Sequence, residues 1–168
     1  MDFKNEIVLN GQFGPNGLAL NQDVESSVRR GLELSGELHL NNSWSLSTSA
    51  AWSHNTIVDK GEEFEPILSP DWIVNQKITY QADSFELGLG LRLQSKSYLD
   101  FANTTRLGAY AVANLFLAYS WKNMKLRVYL NNLTDKQYFG NGLVDYDGTA
   151  KYFIAAPLNA GATIRLIF

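Results

Sequence analysis

The chain has 168 residues, a formal net charge of -3 and no cysteine; 45% of its residues are hydrophobic and 18% are charged. The acidic balance excludes the basic surface of a nucleic-acid-binding protein, and the lack of cysteine excludes disulfides and thiolate metal sites. No stretch approaches the roughly 20 consecutive apolar residues of a membrane-spanning helix, whereas membrane-spanning strands remain compatible because they need only alternate apolar residues.

Apolar and polar residues alternate with a period of two along most of the chain, which predicts β-strands rather than helices. The clearest segment is 85–94, where Leu89 and Leu93 lie on one face and Glu86 and Arg92 on the other. In chain order, the predicted strands cover 1–9, 32–40, 44–53, 72–80, 85–94, 111–121, 124–131 and 159–168. We therefore expect about eight strands, most of them longer than the usual 5–6 residues.

The connections between these strands alternate between short and long. Short turns are predicted near 41–43, 82–84 and 122–123, and long polar loops near 10–26, 57–70, 99–107 and 140–154. Short turns at one end and long loops at the other are typical of outer-membrane barrels. The predicted fold class is therefore all-β, an antiparallel up-and-down transmembrane β-barrel. A soluble ligand-carrying barrel with its apolar face turned inward stays open as an alternative, because it shows the same alternation.

Aromatic residues at the ends of the predicted strands favour the membrane alternative. They lie beside both the short turns and the long loops, as do the two aromatic girdles of membrane barrels. The predicted membrane-interface aromatics are Trp44, Trp52, Trp72, Tyr80, Phe85, Tyr119 and Trp121. The opposite strand face carries Glu, Lys and Arg together with Ser and Gly, which suits a water-filled lumen with charge pairs between strands.

Several segments resemble parts of TonB-dependent outer-membrane receptors. The run NNLTDKQYF at 131–139 resembles the "NLxDKxYY" segment near the C-terminus of that family, and PLNAGATIRLIF at 157–168 is similar to its last strand. Upstream, SSVRRGLEL at 26–34 is similar to a strand entry of the form "S-x-x-x-G-x-E", and LSPDW at 68–72 to a proline-bearing strand start. The segment 98–110 resembles the loop and strand that follow. Together these matches cover nearly the whole chain in the family's order.

The resemblance implies that residues 1–168 form the C-terminal part of a larger barrel of about 22 strands. Such receptors sit in the outer membrane of Gram-negative bacteria and take up ferric siderophores, cobalamin or carbohydrates. They have an N-terminal plug domain through which the TonB complex acts, and neither a plug nor a TonB box is expected in these residues. The implied protein is a transporter, not an enzyme, and needs no cofactor. The transported ligand stays open.

The resemblance also implies two contacts of the barrel wall. The outward face would contact outer-membrane lipid, and the last strand, ending in Phe168, would carry the signal read by the barrel-assembly machinery. A free-standing eight-stranded outer-membrane barrel of structural or adhesion type is the alternative, because 168 residues suit that size. Strands cut from a wider barrel leave unpaired edges, so we expect the segment to close on itself, to pair with a second copy or to be unstable.

Ligand recognition, where it occurs in these residues, is expected in the long loops. Aromatic, amide and charged side chains there suit a polar ligand; the candidates are Asn16, Phe101, Asn103, Arg106, Tyr146 and Lys151. No catalytic constellation is predicted, and no metal site, because the two histidines, His39 and His54, lie on opposite strand faces. Oxygen-rich loops attract calcium, but an ordinary solvated surface explains them better. These loop carboxylates are Asp59, Glu62, Glu63, Glu65, Asp145 and Asp147.

Overall fold

The computed structural model describes residues 1–167, and strands are its only regular secondary structure. The strands are β1 (Asp2–Phe13), β2 (Ala19–His39), β3 (Trp44–Asp59), β4 (Glu62–Phe64), β5 (Trp72–Ala82), β6 (Phe85–Gln94), β7 (Ser97–Tyr98), β8 (Arg106–Leu107), β9 (Tyr110–Trp121), β10 (Met124–Asn131), β11 (Phe139–Val144), β12 (Ala150–Ile154) and β13 (Asn159–Leu166). Within this part of the chain, no helix has the length and apolar character needed to cross a membrane. The predicted assembly residue Phe168 lies outside the described residues.

Eight long strands form one antiparallel up-and-down sheet in the order β1, β2, β3, β5, β6, β9, β10, β13. This confirms the predicted all-β class and the approximate number of strands. The sheet is open: in residues 1–167, β13 pairs with β10 alone, and β1 meets β11 through one parallel bridge between Gln12 and Val144. The expected closure of the segment into a small barrel is therefore not observed, and the open sheet disfavours the free-standing eight-stranded barrel.

The apolar face of the sheet points outward. Leu32, Leu34 and Trp121 expose 70%, 64% and 56% of their surface, and alternate leucines of β6 are also exposed. Buried apolar residues are few, and Leu99, Leu107 and Val144 form a small cluster among the long loops rather than a core under the sheet. A soluble barrel would bury its apolar face, and within residues 1–167 no core packs against this face, which disfavours that alternative. An exposed apolar band is the arrangement of a strand sheet that faces lipid.

The opposite, polar face carries the charge pairs expected for a lumen. Glu86 Oε2 accepts a hydrogen bond from Lys125 Nζ at 3.2 Å, and Arg127 Nη2 lies 3.4 Å from Glu86 Oε1. The Arg127 guanidinium also lies over the Phe116 ring at 4.6 Å, and this ring covers Gly88 on the neighbouring strand. Close contact across three strands therefore holds this face in register.

The predicted interface aromatics pair across strands at both ends of the sheet. Trp44 lies directly opposite Tyr80, with ring centroids 4.9 Å apart, next to a short turn. Trp52 lies opposite Trp72 at 6.1 Å, where β3 and β5 approach the long loops. Three more lie beside short turns: Phe85 and Tyr119, which are cross-strand partners, and Trp121, whose ring is 5.3 Å from Lys122 Nζ. The aromatics therefore form two groups separated by the apolar band.

Three of the predicted long loops are wrong in form, because they contain strands. The segment 10–26 is mostly strand, because β1 and β2 continue as a hairpin closed by the five residues 14–18. The segment 140–154 contains the hairpin of β11 and β12. Similarly, β3 continues to Asp59 and turns into β4 within the predicted loop 57–70. The upper part of β2 has polar residues on both faces, and β12 has large apolar residues on both, so these segments lack the alternation of apolar and polar residues by which strands are recognised.

Candidate functional site

The long loops meet at one end of the sheet. Leu99 and Leu107, in the connection between β6 and β9, pack with Val144 of β11 and are each at most 5% exposed. The backbone N–H of Phe101 donates to the carbonyl oxygen of Asn10 in β1 at 3.0 Å. The β1 end, the β6–β9 connection and the β11–β12 hairpin are therefore joined into one loop cluster, which we call the loop platform.

A cavity of about 320 Å³ lies within the loop platform. Its lining is mainly apolar, and only two of its residues, Gln12 and Asn141, have polar side chains. The apolar lining residues are Leu9, Phe13, Ala19, Ile67, Leu68, Leu99, Leu143 and Phe153, with Gly11 and Gly142 between them. Apolar walls with a few polar groups are typical of small-molecule sites.

None of the six predicted ligand residues lines this cavity. Two of them instead hold the loops in place. Asn103 Oδ1 accepts the backbone N–H of Glu65 at 2.7 Å, and Asn103 Nδ2 donates to the Glu65 carbonyl at 2.9 Å. The Phe101 ring packs against Phe64, with centroids 4.7 Å apart. These contacts lock the β6–β9 connection to the β3–β5 connection.

The other four predicted residues are spread over the platform. Asn16 Oδ1 accepts the backbone N–H of Leu18 at 3.2 Å within the β1–β2 turn. Lys151 donates to the Asp145 carboxylate, which lowers the pKa of Asp145 and raises that of Lys151. Arg106 and Tyr146 are both exposed, Tyr146 to 68%. Asn16 and Lys151 are exposed as well, but their side chains are hydrogen-bonded within their own loops, so within residues 1–167 Arg106 and Tyr146 are the two of these four whose side chains have no bonded partner.

Sequence reasoning missed the apolar lining of the cavity. Residues such as Leu99 and Phe153 lie in segments that are otherwise polar, and large apolar residues in a polar loop are a usable signal of a local cluster. The cavity itself depends on contact between β1, β6–β9 and β11–β12, which no local pattern encodes. Its most direct contact is the close approach of Gly11 and Gly142 to Leu99.

Four of the six loop carboxylates, those of Asp59, Glu65, Asp145 and Asp147, accept hydrogen bonds within residues 1–167. Glu65 Oε1 accepts from Lys96 Nζ at 3.0 Å, and Asp145 pairs with Lys151. Within residues 1–167, no three His, Asp or Glu side chains come together in a way that could hold a metal ion. The acidic loops therefore serve contacts between loop segments.

Asp100 organises the turn that follows it. Asp100 is only 7% exposed. Its carboxylate accepts hydrogen bonds from the Thr104 hydroxyl at 2.7 Å and from the Thr105 N–H at 2.6 Å. Burial by itself would raise the pKa of this carboxyl, but the donors on Thr104 and Thr105 outweigh burial and hold the pKa below its usual value. The ionised form is therefore the one that stabilises the loop.

We expect this loop to loosen in acid. A carboxyl with a lowered pKa contributes stability above its unfolded pKa of about 3.9 and loses it as pH falls through the lower folded value. Amide protection factors of Thr104 and Thr105 should be constant near neutral pH and should fall below about pH 4. Asp100→Asn should lower protection at neutral pH and remove the acid step. Protection that is unchanged by both acid and Asp100→Asn would contradict this role.

Comparisons with known proteins agree on the fold. A family model described as "TonB dependent receptor-like, beta-barrel" matches residues 1–133. No curated protein matches the sequence. The structure is similar to the ferric yersiniabactin uptake receptor FyuA from Yersinia pestis (TM-score 0.77, 19% identity), covering 89% of this chain and 25% of that one.

Two further receptors are similar over almost the whole chain. One is the siderophore receptor PiuA from Acinetobacter baumannii (TM-score 0.72, 21% identity), covering 98% of this chain and 24% of that one. The other is the ferric-catecholate import receptor Fiu from E. coli K12 (TM-score 0.76, 19% identity), covering 99% and 24%. The chain thus spans about a quarter of the length of each of these receptors.

Proposed function

The chain belongs to the TonB-dependent receptor β-barrel family, and from this premise we propose that residues 1–168 form the C-terminal part of a nutrient-uptake barrel of about 22 strands. The family consists of receptors and transporters in the outer membrane of Gram-negative bacteria, not of enzymes. We place this chain in that membrane. The observation that carries the proposal is the distribution of side chains on the sheet: leucines are exposed on one face, and ion pairs lie on the other.

The open edges of the sheet support membership of a wider barrel. The outer edge of β13 is unpaired within residues 1–167, and β1 meets β11 through a single bridge between Gln12 and Val144. Unpaired backbone at the edge of a sheet within lipid is costly, since no water is there to bond it. Further strands on both sides would satisfy these groups.

The proposed ligand is a nutrient such as a ferric siderophore, cobalamin or a carbohydrate. The similar structures are those of a ferric yersiniabactin uptake receptor, a siderophore receptor and a ferric-catecholate import receptor, which supports the first of these. We propose that the ligand contacts lie in the loop platform. Arg106 and Tyr146 are the strongest of the six predicted residues, because their side chains are exposed and unbonded. The apolar cavity of the loop platform suits a ring or alkyl part of a ligand.

The proposed partners follow from the same placement. Outer-membrane lipid covers the apolar band, with the seven aromatics at its two borders. The barrel-assembly machinery reads the last strand and Phe168. The TonB complex acts through a plug domain that is not among these residues.

Uptake by the full-length protein tests this proposal. The reading frame upstream of Met1 is sequenced first, and a plug-sized domain with further alternating strands is expected. A strain lacking the gene should then lose uptake of one ferric chelate from a panel and regain it with the gene, but only when TonB is present. Uptake that does not depend on TonB, or a signal peptide directly before Met1, would overturn the proposal in favour of a small complete barrel.

A further inference from the structure

Charge is unevenly distributed over the polar face of the sheet. Although the chain is acidic overall, the strands β5, β6, β9, β10 and β13 carry one carboxylate, Glu86, and several cations. The strand register places all of these side chains on the polar face. The cations are Lys77, Arg92, Lys125, Arg127 and Arg165.

A cavity of about 370 Å³ that is open to solvent lies on this face. Its walls include the hydroxyl groups of Ser47 and Ser49, the amide of Asn75 and the cations Lys77 and Arg92. None of the lining residues in the described part of the chain is acidic. A site with two cations, several neutral donors and no carboxylate has the electrostatic character of an anion site.

The Arg92 guanidinium is held in a fixed orientation by neutral acceptors. Its Nε donates to the Tyr110 hydroxyl at 3.3 Å, Nη1 to Asn75 Oδ1 at 3.2 Å and Nη2 to Gln94 Oε1 at 3.1 Å. A guanidinium has five N–H donors, so donors remain for a ligand. These partners orient the positive charge without neutralising it.

Cations continue from this cavity toward the short-turn end. Lys125 and Arg165 are direct cross-strand partners, and like charges in this position are destabilising. Glu86 pairs with Lys125 and Arg127, and it is the one carboxylate that these five strands set against the three cations Lys125, Arg127 and Arg165. An anion moving along this face would therefore find positive charge from the cavity to the turn end of the sheet.

We propose that the cavity at Arg92 and Lys77 binds a small anionic ligand through a phosphate or carboxylate group. This inference rests on the proposed transport function and narrows its ligand to an anionic class. The charge of the lining selects the anion, and the cavity volume suits a small molecule better than a folded segment. The cations beyond it guide the same ligand along the lumen.

Calorimetric titration with inorganic pyrophosphate tests the site, using the full-length protein in neutral detergent. We expect saturable binding that weakens with added salt and weakens at least tenfold in Arg92→Gln and in Lys77→Gln. Lys122→Gln, in the turn between β9 and β10, is the matched control and should bind within twofold of the unchanged protein. The proposal would be overturned by a lack of pyrophosphate binding, or by Arg92→Gln and Lys77→Gln variants that bind pyrophosphate as tightly as the unchanged protein does.

Two further measurements cover the cases in which a variant does not fold or a protein segment occupies the cavity. Lys77 is exposed, so Lys77→Gln tests the site even where Arg92→Gln does not fold. A six-residue glutamate peptide is titrated in parallel; binding of this peptide at Arg92 and Lys77 without pyrophosphate binding would show a protein segment as the occupant and refute the proposal. Pyrophosphate binding without TonB-dependent uptake would refute the proposed function and leave the anion site standing.

Discussion

Replacing Leu89 with arginine is expected to lower the free energy of unfolding by about 2–4 kcal/mol in lipid vesicles. Leu89 lies in the middle of β6, opposite Ile78 and Leu115, and its side chain is 39% exposed on the apolar face. In water, an arginine at an exposed position would change stability by only about 0.5 kcal/mol. The size of the effect therefore reports whether this face is in contact with lipid.

The matched control places the same charge at the same depth on the other face. Ser45 lies in the cross-strand row of Thr79 and Gly88, one residue step from the row of Leu89. We expect Ser45→Arg to cost less than about 1 kcal/mol, because the lumen face is hydrated and tolerates charge. Urea unfolding of the full-length protein in phosphatidylcholine vesicles measures both variants. Equal costs would contradict the assignment of the two faces.

The strands of the sheet could be predicted where one face contacts an apolar environment. The segments 85–94 and 124–131 agree with β6 and β10 in both bounds, because an apolar residue stands at every second position along the whole of each strand. In contrast, β2 was expected only from 32, and it begins at Ala19. Its upper part lies among the loops, where polar residues on both faces are compatible with strand and the period of two disappears.

The candidate site could be predicted by location but not by composition. Choosing polar and aromatic residues from the long loops led to Asn103 and Phe101, whose side chains fix loop to loop. The apolar cavity depends on contacts between segments far apart in the sequence, such as the parallel bridge from Gln12 to Val144. The type of a side chain shows which hydrogen bonds and contacts it can make. Only the fold shows whether neighbouring loops already occupy its donors, acceptors or ring faces.

The charged residues of the lumen could also be predicted in part: the sequence assigns them to a face, but not to their neighbours on that face. Alternation alone predicted that Lys125 and Arg165 share the polar face, but only strand register shows that they lie directly opposite each other. Likewise, Arg92 could be assigned to the lumen from its position in β6, but its three neutral acceptors come from its own and two neighbouring strands. Binding properties of a sheet surface therefore follow from register as much as from sequence.

Gly11→Ala is expected to release the β6–β9 connection from β1. Gly11 has a φ of +82°, and a Cβ there would lie 2.1 Å from the Leu99 carbonyl oxygen and 2.9 Å from Asp100 Cα. Both are backbone atoms, so the loop itself must move, with loss of the Phe101 to Asn10 hydrogen bond and of the packing of buried Leu99. Left-handed strain and lost burial together give about 3–5 kcal/mol.

Gly17→Ala separates strain from contact, because Gly17 has a similar φ of +75° with no atom near the added Cβ. It should cost only the left-handed strain of about 1–2 kcal/mol. Amide exchange at Leu99, whose N–H donates to the Thr105 carbonyl at 2.9 Å, measures the opening of the loop in both variants. Fast exchange in Gly11→Ala but not in Gly17→Ala would show that the platform depends on this contact. Equal exchange rates in the two variants would mean that β1 and the β6–β9 connection are not packed together. That result would contradict the presence of the cavity between them.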